Sequence, residues 1–211
     1  MTSELTTHGQ PRRRMSKQAR REQLLDTAEE LFILRGYAGV TMEDICQAAG
    51  VSRPVLYGHF PTREDAYLAC VQRARAAYNA RMVGVADPTD SLEDQLRAGG
   101  EIFFGMLETD PGRWKLIFGN SGAMPESHAA QLADLRFETI DMIEALLHRA
   151  LPDVDGLTVK TAAHAISGVG ERLGLMWLRE PQLSRDDIVD QYVAILLPGA
   201  RMLGDSAHGR D

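Results

Sequence analysis

Apolar residues recur three and four positions apart through nearly every long segment of this 211-residue chain. This spacing places them on one face of an α-helix, as in the run Leu24, Leu25, Ala28, Leu31 and Phe32. No segment shows the convincing alternation of apolar and polar residues that predicts a half-buried strand. The sequence therefore predicts an all-α fold.

Capping and breaking residues divide this pattern into separate helices. Thr41, Ser52 and Thr62 are expected to cap helix starts, and Gly36 and Gly50 are expected to end helices. A small N-terminal unit and a larger C-terminal helical bundle follow from this order. The expected helices span residues 16–34, 42–49, 52–59, 62–81, 91–108, 112–118, 126–151, 157–179 and 184–203.

Charge is distributed unevenly along the chain. Residues 1–75 hold 11 lysines and arginines against 9 acidic residues, whereas residues 76–211 hold 12 against 21. An acidic body with a basic front end predicts a polyanionic partner that the N-terminal part alone meets. The alternative interpretation of the basic run between Pro11 and Arg21 is a solvated, disordered tail.

Composition excludes several other classes of protein. No apolar run reaches the roughly 18–20 residues that cross a bilayer, and the polar start lacks the apolar core of a secretory signal. Cys46 and Cys70 have no metal-ligand spacing, so we interpret them as buried, reduced thiols. We expect a cytoplasmic protein without a metal or cofactor.

The stretch "GVSRPVLYGHF" at residues 50–60 crowds polar and aromatic side chains onto one short helix. With the preceding helix and the glycine turn it predicts a helix-turn-helix, whose second helix enters the major groove of DNA by its amino-terminal end. That end carries Ser52, Arg53 and Pro54, and an arginine there can pair with guanine. Val55 and Leu56 are expected to anchor the helix.

Other polar groups around this helix suit the phosphates of a duplex. The Tyr57 hydroxyl and the His59 imidazole can donate to phosphate oxygens, which fixes the register without reading the sequence. Thr41 offers a hydroxyl and an exposed amide, and Arg63 offers a cation. The predicted DNA-binding residues are Thr41, Ser52, Arg53, Pro54, Val55, Tyr57, His59 and Arg63.

Residues 17–70 resemble the DNA-binding domain of TetR-family transcriptional regulators, through the stretch "ILRGYAGVTMEDICQAAGVSRPVLYGHFPTREDAY". The resemblance implies a ligand-responsive repressor that binds a palindromic operator as a homodimer. Pro54 departs from the family's pattern, since many relatives have Gly or another small residue there, and this leaves the operator sequence open. Control by a protein partner and activation instead of repression are the alternatives.

On this reading the chain divides into four parts. We expect a basic, disordered arm at 1–15, a helix-turn-helix DNA-binding domain at 16–65, a ligand-binding and dimerisation domain at 66–204 and a flexible tail at 205–211. The resemblance implies that the last two helices pair with the same helices of a second subunit. Their small residues and broad apolar faces agree with an interface, and packing within one subunit is the alternative.

Aromatic residues and methionines concentrate in the bundle. A cavity that they line would suit a small, hydrophobic effector, and ordinary core packing is the alternative. Such an effector beside the far end of the fourth helix would tilt that helix and change the separation of two DNA-reading heads. The predicted ligand-binding residues are Phe103, Phe104, Leu107, Trp114, Ile117, Phe118, Met142 and Trp177.

Two rival functions find less support. The sequence contains no HExxH, Walker lysine loop or GxSxG motif, so we expect no enzymatic activity. "GVGERLG" lies within a predicted helix with no strand before it, which argues against dinucleotide binding. A protein that coats nucleic acid without preference should be basic over its whole surface, and the larger part of this chain is acidic.

Overall fold

The fold is known from a computed structural model, which describes residues 15–85, 90–119, 124 and 126–208, without the side chains of residues 85, 127 and 204–208. This part of the chain is helical and contains no strand, so the predicted all-α fold is confirmed. Its helices are α1 (Lys17–Arg35), α2 (Met42–Ala49), α3 (Arg53–Tyr57), α4 (Arg63–Val85), α5 (Leu92–Thr109), α6 (Pro111–Phe118), α7 (Glu126–Ala150), α8 (Gly156–Trp177) and α9 (Arg185–His208).

Local capping explains where the first helices begin and end. Thr41 forms a capping box with Asp44, because the threonine side chain accepts from the Asp44 amide and the aspartate accepts from the Thr41 amide. Thr62 and Asp65 make the same reciprocal pair at the start of α4. Gly36 has a positive φ of 70°, a conformation that favours glycine, at the end of α1.

Four expectations need correction. Helix α3 spans only Arg53–Tyr57, and Ser52 makes no side-chain cap at its start. Val55 is exposed and does not anchor α3; a five-residue helix has room for one inward position, which Leu56 occupies. Helix α9 continues to His208, through most of the predicted 205–211 tail. The predicted arm lies almost wholly outside the described residues.

Helix α4 belongs to both predicted units. Its first half packs on α1, where the ring of Tyr67 meets Phe32 edge to face at 5.0 Å. Its second half enters the bundle, where Tyr78 meets Phe118 at 5.3 Å. Buried apolar residues form one continuous core along this helix, across the boundary predicted after residue 65. A movement of α4 is therefore felt in both units.

Both cysteines are buried, as predicted. Cys46 and Cys70 are free thiols, and the Cys70 Sγ lies 3.7 Å from the carbonyl oxygen of Leu25. Burial raises the pKa of the Cys70 thiol to about 12, so it stays protonated and unreactive at neutral pH.

Candidate nucleic-acid interface and effector cleft

Helices α2 and α3 meet in a tight turn at Gly50. Gly50 has a left-handed backbone, with φ 62° and ψ 38°, and the next amide, of Val51, donates to the Cys46 carbonyl at 3.1 Å. Leu56 is completely buried and fastens α3 to the domain. The turn and this one side chain set the position of α3.

The other four residues of α3, and Ser52 just before it, face solvent. Ser52, Arg53, Pro54, Val55 and Tyr57 are all exposed in the isolated chain. Because Ser52 makes no cap hydrogen bond, its hydroxyl keeps its full bonding capacity for an external group. This arrangement suits the insertion of the amino-terminal end of α3 into a groove, and it leaves Val55 able to contact DNA.

Arg53 is held loosely on this surface. Its Nε donates to Oε2 of Glu43 on α2 at 2.7 Å, and its side chain is 71% exposed. An ion pair this exposed contributes little to stability, so a guanine edge or a phosphate can replace the carboxylate at small cost. Glu43 was not singled out in the sequence, since only the crossing of α2 and α3 brings it to Arg53.

His59 lies beside the basic start of α1. Burial, followed by the charges of Lys17, Arg21 and Arg20, lowers the pKa of its imidazole. The neutral imidazole has one N–H to donate, which fits the predicted contact with a phosphate. The same three cations give this edge of the domain a positive field, and they enlarge the candidate interface beyond the residues chosen from the sequence.

Arg63 and Thr41 have partners within the protein. The Arg63 Nη2 donates to the Tyr37 hydroxyl and to Oε1 of Glu64, both at 3.0 Å, and its guanidinium lies 4.3 Å from the centre of the Tyr37 ring. The Thr41 hydroxyl donates to Asp44 at 2.5 Å. These groups stabilise the junction of α1, α2 and α4, and their contacts with DNA stay predictions.

The carboxylate of Glu64 has an unusually low pKa, mainly because it accepts a hydrogen bond from Tyr37. This bond, together with that from Arg63, lowers the pKa of Glu64 to about 2. The carboxylate is therefore ionised at every physiological pH, and it keeps Arg63 and Tyr37 in place at the start of α4.

A cleft of about 710 Å³ opens beside the middle of α4, within the size range of small-molecule sites. The described residues that line it come from α4, α6, α7 and α8, with two from the segment after α6. They are Val71, Arg75, Leu116, Ile117, Phe118, Gly119, Met124, Ala129, Leu132, Ala133, Arg136, Phe137, Glu171, Arg172 and Leu175.

Two of the eight predicted ligand-binding residues, Ile117 and Phe118, line this cleft. Phe103 touches a small cavity of about 30 Å³, and Trp114 borders a separate hollow of about 510 Å³ between α1 and α6. The other four line none of the described cavities, and of these Met142 packs against a separate small core between α7 and α8. The four are Phe104, Leu107, Met142 and Trp177.

Most of the predicted ligand-binding residues form a packed aromatic core. Phe103 meets Phe104 at 5.1 Å, Trp114 at 5.7 Å and Phe118 at 4.9 Å between ring centres. Trp177 joins through Phe104 at 6.2 Å. Helical periodicity identified these rings as interior but could not separate residues that pack on one another from residues that line a cavity. Their role in ligand binding stays a prediction.

The described residues contain neither a membrane-spanning helix nor a metal-binding cluster. No helix there has the length and apolar character that a membrane span needs. No cluster of three or more His, Cys, Asp or Glu side chains there is arranged to hold a metal ion.

Comparison with known proteins agrees with the geometry of α2 and α3. The family model described as "Bacterial regulatory proteins, tetR family" matches residues 24–70, the segment that contains both helices. This segment belongs to the TetR family. The resemblance stated from the sequence is thereby confirmed.

Relatives of known description extend this TetR-family match beyond the DNA-binding segment. The HTH-type transcriptional activator FasR of Mycolicibacterium smegmatis is 35% identical over 136 residues, which cover 64% of this chain and 62% of that protein. The HTH-type transcriptional regulator EthR of the same organism is 30% identical over 111 residues, covering 50% and 49%. The chain thus spans about half to three-fifths of the length of these relatives.

Solved TetR-like structures share the fold over most of the chain. FadR of Bacillus subtilis, solved in complex with stearoyl-CoA, has a TM-score of 0.72 at 17% identity, with 83% of this chain and 96% of that chain covered. A tetR-family regulator of Streptomyces coelicolor has a TM-score of 0.71 at 23% identity, with 92% and 87% covered. At these identities the likeness concerns the fold alone.

Proposed function

We propose that this protein is a homodimeric transcriptional regulator that binds a palindromic DNA operator through α3 and changes its affinity when a small molecule occupies the bundle. The exposed amino-terminal end of α3, set in place by Gly50 and Leu56, carries the proposal. Arg53 reads a base edge, and Tyr57, His59 and the cations at the start of α1 grip the phosphates.

The first test compares two substitutions on α3. An operator is first selected from a random duplex library with the wild-type protein. Replacing Arg53 by alanine should reduce the preference for this operator over its single-base variants by about 5- to 150-fold, because a base contact contributes roughly 1–3 kcal/mol of discrimination. Tyr57→Phe should instead weaken binding to all sequences alike, since a phosphate contact carries no sequence information. Fluorescence anisotropy with operators selected from a random duplex library measures both.

Arg179→Ala is the matched control, because Arg179 is an exposed arginine in the turn after α8. It should leave binding unchanged. Operator binding that survives both α3 substitutions unaltered would show that another surface contacts DNA.

A stripe of exposed residues on the last two helices supports dimerisation. On α8 it includes Ala165, Gly168 and Met176, and on α9 it includes Ile195 and Met202. A Cβ added at Gly168 would meet nothing within 4 Å, so the chain itself leaves room for a neighbouring helix there. An apolar face of this kind usually marks an interface, and two reading heads on one duplex require one.

Replacing Ile195 by glutamate should convert the dimer to a monomer and weaken operator binding at least tenfold. Ile195 is 54% exposed, so the charge is tolerated in the isolated subunit but is desolvated in an interface. Analytical ultracentrifugation measures the mass in solution. Leu34→Glu, an exposed leucine on α1, is the control and should stay dimeric; a dimeric Ile195→Glu protein would contradict this interface.

The effector acts, on this proposal, through α4. Val71 and Arg75 line the cleft, and Arg63 and Glu64 at the other end of the same helix hold Tyr37 of the DNA-binding unit. An effector that prefers the arrangement with the wrong separation of the two heads lowers operator affinity; equal affinity for both arrangements would change nothing.

The protein could act on transcription in either of two ways, repression or activation. Repression follows from the sequence resemblance, and activation is the second candidate because FasR is described as an activator. Transcription in vitro from a promoter that contains the selected operator, with and without the protein, distinguishes them.

A further inference from the structure

Arg75 is a buried cation that forms no ion pair with a described residue, and its guanidinium carbon lies 5.3 Å from the centre of the Phe118 ring. The residue is 2% exposed, and its Nη1 and Nη2 donate to the Thr139 hydroxyl at 2.9 Å and the Ile117 carbonyl at 2.5 Å, both uncharged acceptors. Its Nε has no hydrogen-bond partner among the described residues. The acidic residue that lines the same cleft, Glu171, pairs with Arg136 instead, at 3.5 Å.

Burying a charged side chain without an opposite charge beside it destabilises the folded state. A buried charge normally has an opposite charge beside it, because its loss of hydration is otherwise not compensated. Burial, and then the nearby charge of Arg136, lowers the pKa of Arg75 to about 10. The charges of Glu171 and Glu138 act in the opposite direction without cancelling this shift, and the guanidinium still carries its charge at neutral pH. An unpaired charge beside a cleft is therefore a sign of an external partner.

The described lining of the cleft is positive, although the chain as a whole carries a net charge of −7. Arg75, Arg136 and Arg172 oppose the single carboxylate of Glu171. The Arg136 side chain is 44% exposed, so it can turn towards a bound molecule. A site with this charge attracts an anion and disfavours a cation.

The rest of the described wall is largely apolar. Val71, Leu116, Phe118, Leu132 and Leu175 contribute aliphatic and aromatic surface around the arginines. A purely hydrophobic molecule would provide no countercharge for Arg75. A small inorganic anion would leave the apolar wall of the cleft exposed to water.

We propose that the cleft binds an amphipathic anion, an apolar molecule with one anionic group, and that Arg75 supplies the countercharge. This rests on the proposed function, since it names the chemical class of the effector. It also places that effector against the middle of α4, where the sequence analysis expected it at the far end.

A matched pair of probes tests the class directly. Decanoate and 1-decanol share one apolar tail and differ in the charge of the head group. Isothermal titration calorimetry on the full chain, with decanoate below its micelle-forming concentration and 1-decanol below its solubility limit, should give at least tenfold tighter binding of decanoate. Arg75→Met should reduce this preference to less than threefold and leave the affinity for decanol unchanged, because methionine retains the apolar stem without the charge.

Two further variants guard against a simple folding defect. Arg75→Lys keeps a cation and should retain most of the preference for decanoate. Arg81→Met, an exposed arginine on the same helix outside the described cleft lining, should retain all of it. If Arg75→Met fails to fold, Arg136→Met should still reduce the wild-type preference, and the preference should weaken as salt is raised.

Equal affinity of the wild type for the two probes, binding of neither, or an unchanged preference in Arg75→Met or its substitute Arg136→Met would overturn the inference. Operator binding is measured on the same samples. Intact operator binding alongside any of these results overturns only the chemical class of the effector, whereas loss of specific operator binding by the wild type overturns the proposed function.

Discussion

Replacing Trp114 by alanine should lower the free energy of unfolding by about 3–5 kcal/mol, the usual cost of removing a large buried aromatic side chain. Trp114 is completely buried in α6 and packs against the rings of Phe103 and Phe118. Its Nε1 has no hydrogen-bond partner in the described part of the chain, so the loss is one of packing. Urea unfolding followed by circular dichroism, at one protein concentration, measures it.

Gly174 tests the same contact from the opposite side. A Cβ at this position on α8 would lie 2.6 Å from Cζ2 of Trp114, closer than atoms can pack. Gly174→Ala should therefore destabilise the protein by about 1–3 kcal/mol. Combined with Trp114→Phe, which removes the outer indole atoms, it should cost clearly less than the sum of the single changes. Strict additivity would show that the two residues do not meet.

Replacing both Arg73 and Arg113 by methionine should lower the free energy of unfolding by about 3 kcal/mol, the second-largest effect that we expect. The two arginines, on α4 and α6, pair with the buried carboxylate of Glu29 on α1 at 2.6 Å and 2.7 Å. Without them this carboxylate is left buried and unpaired, which typically costs 3–5 kcal/mol for a fully enclosed pair, and we expect the lower end of that range because both arginines are partly exposed. Thermal and urea unfolding of the double methionine variant measure the loss.

The matched double variant is Arg97→Met with Arg201→Met. These exposed arginines pair with Asp190 and Glu93, and their loss should cost less than about 1 kcal/mol per pair. Adding Glu29→Met to the first double variant should restore much of its stability by removing the stranded charge. A loss no larger than that of the control, or no recovery with Glu29→Met, would contradict the argument.

The Glu29 cluster also links the DNA-binding unit to the bundle. Glu29 lies on α1, Arg73 on the connecting helix and Arg113 on α6, so one carboxylate joins three elements. Arg73 lies only two positions before Arg75 on α4. An effector that displaces this stretch of α4 would alter contacts to both units at once, which is the physical link that the proposed regulation requires.

The helix-turn-helix could largely be predicted from the sequence. The capping box of Thr41 and Asp44 and the left-handed Gly50 depend on residues within a few positions of one another, so local chemistry is enough to identify them. The inward position of Leu56 and the exposure of Val55 were harder, because a five-residue helix is too short for its periodicity to show which side faces the domain.

The cleft proposed to bind the effector could be predicted only as a region. Hydrophobic periodicity reports which face of a helix turns inward, but it does not report where two inward faces separate and leave a cleft. The sequence therefore predicts that the aromatic residues of α5 and α6 line a cavity, whereas in the structure most of these rings pack directly against one another. Arg75 carried no signal in the sequence, because an arginine on a helix is usually exposed.

The amino-acid sequence by itself determined most of the helices, the caps at Thr41 and Thr62 and the helix-turn-helix segment, because these follow from interactions over three or four residues. Only the tertiary structure decided which charges are buried and what they meet. Glu29 and Arg113 are 84 positions apart and Arg75 and Thr139 are 64 apart, so their contacts depend on how whole helices pack. The cleft beside α4 and its uncompensated guanidinium arise at that level.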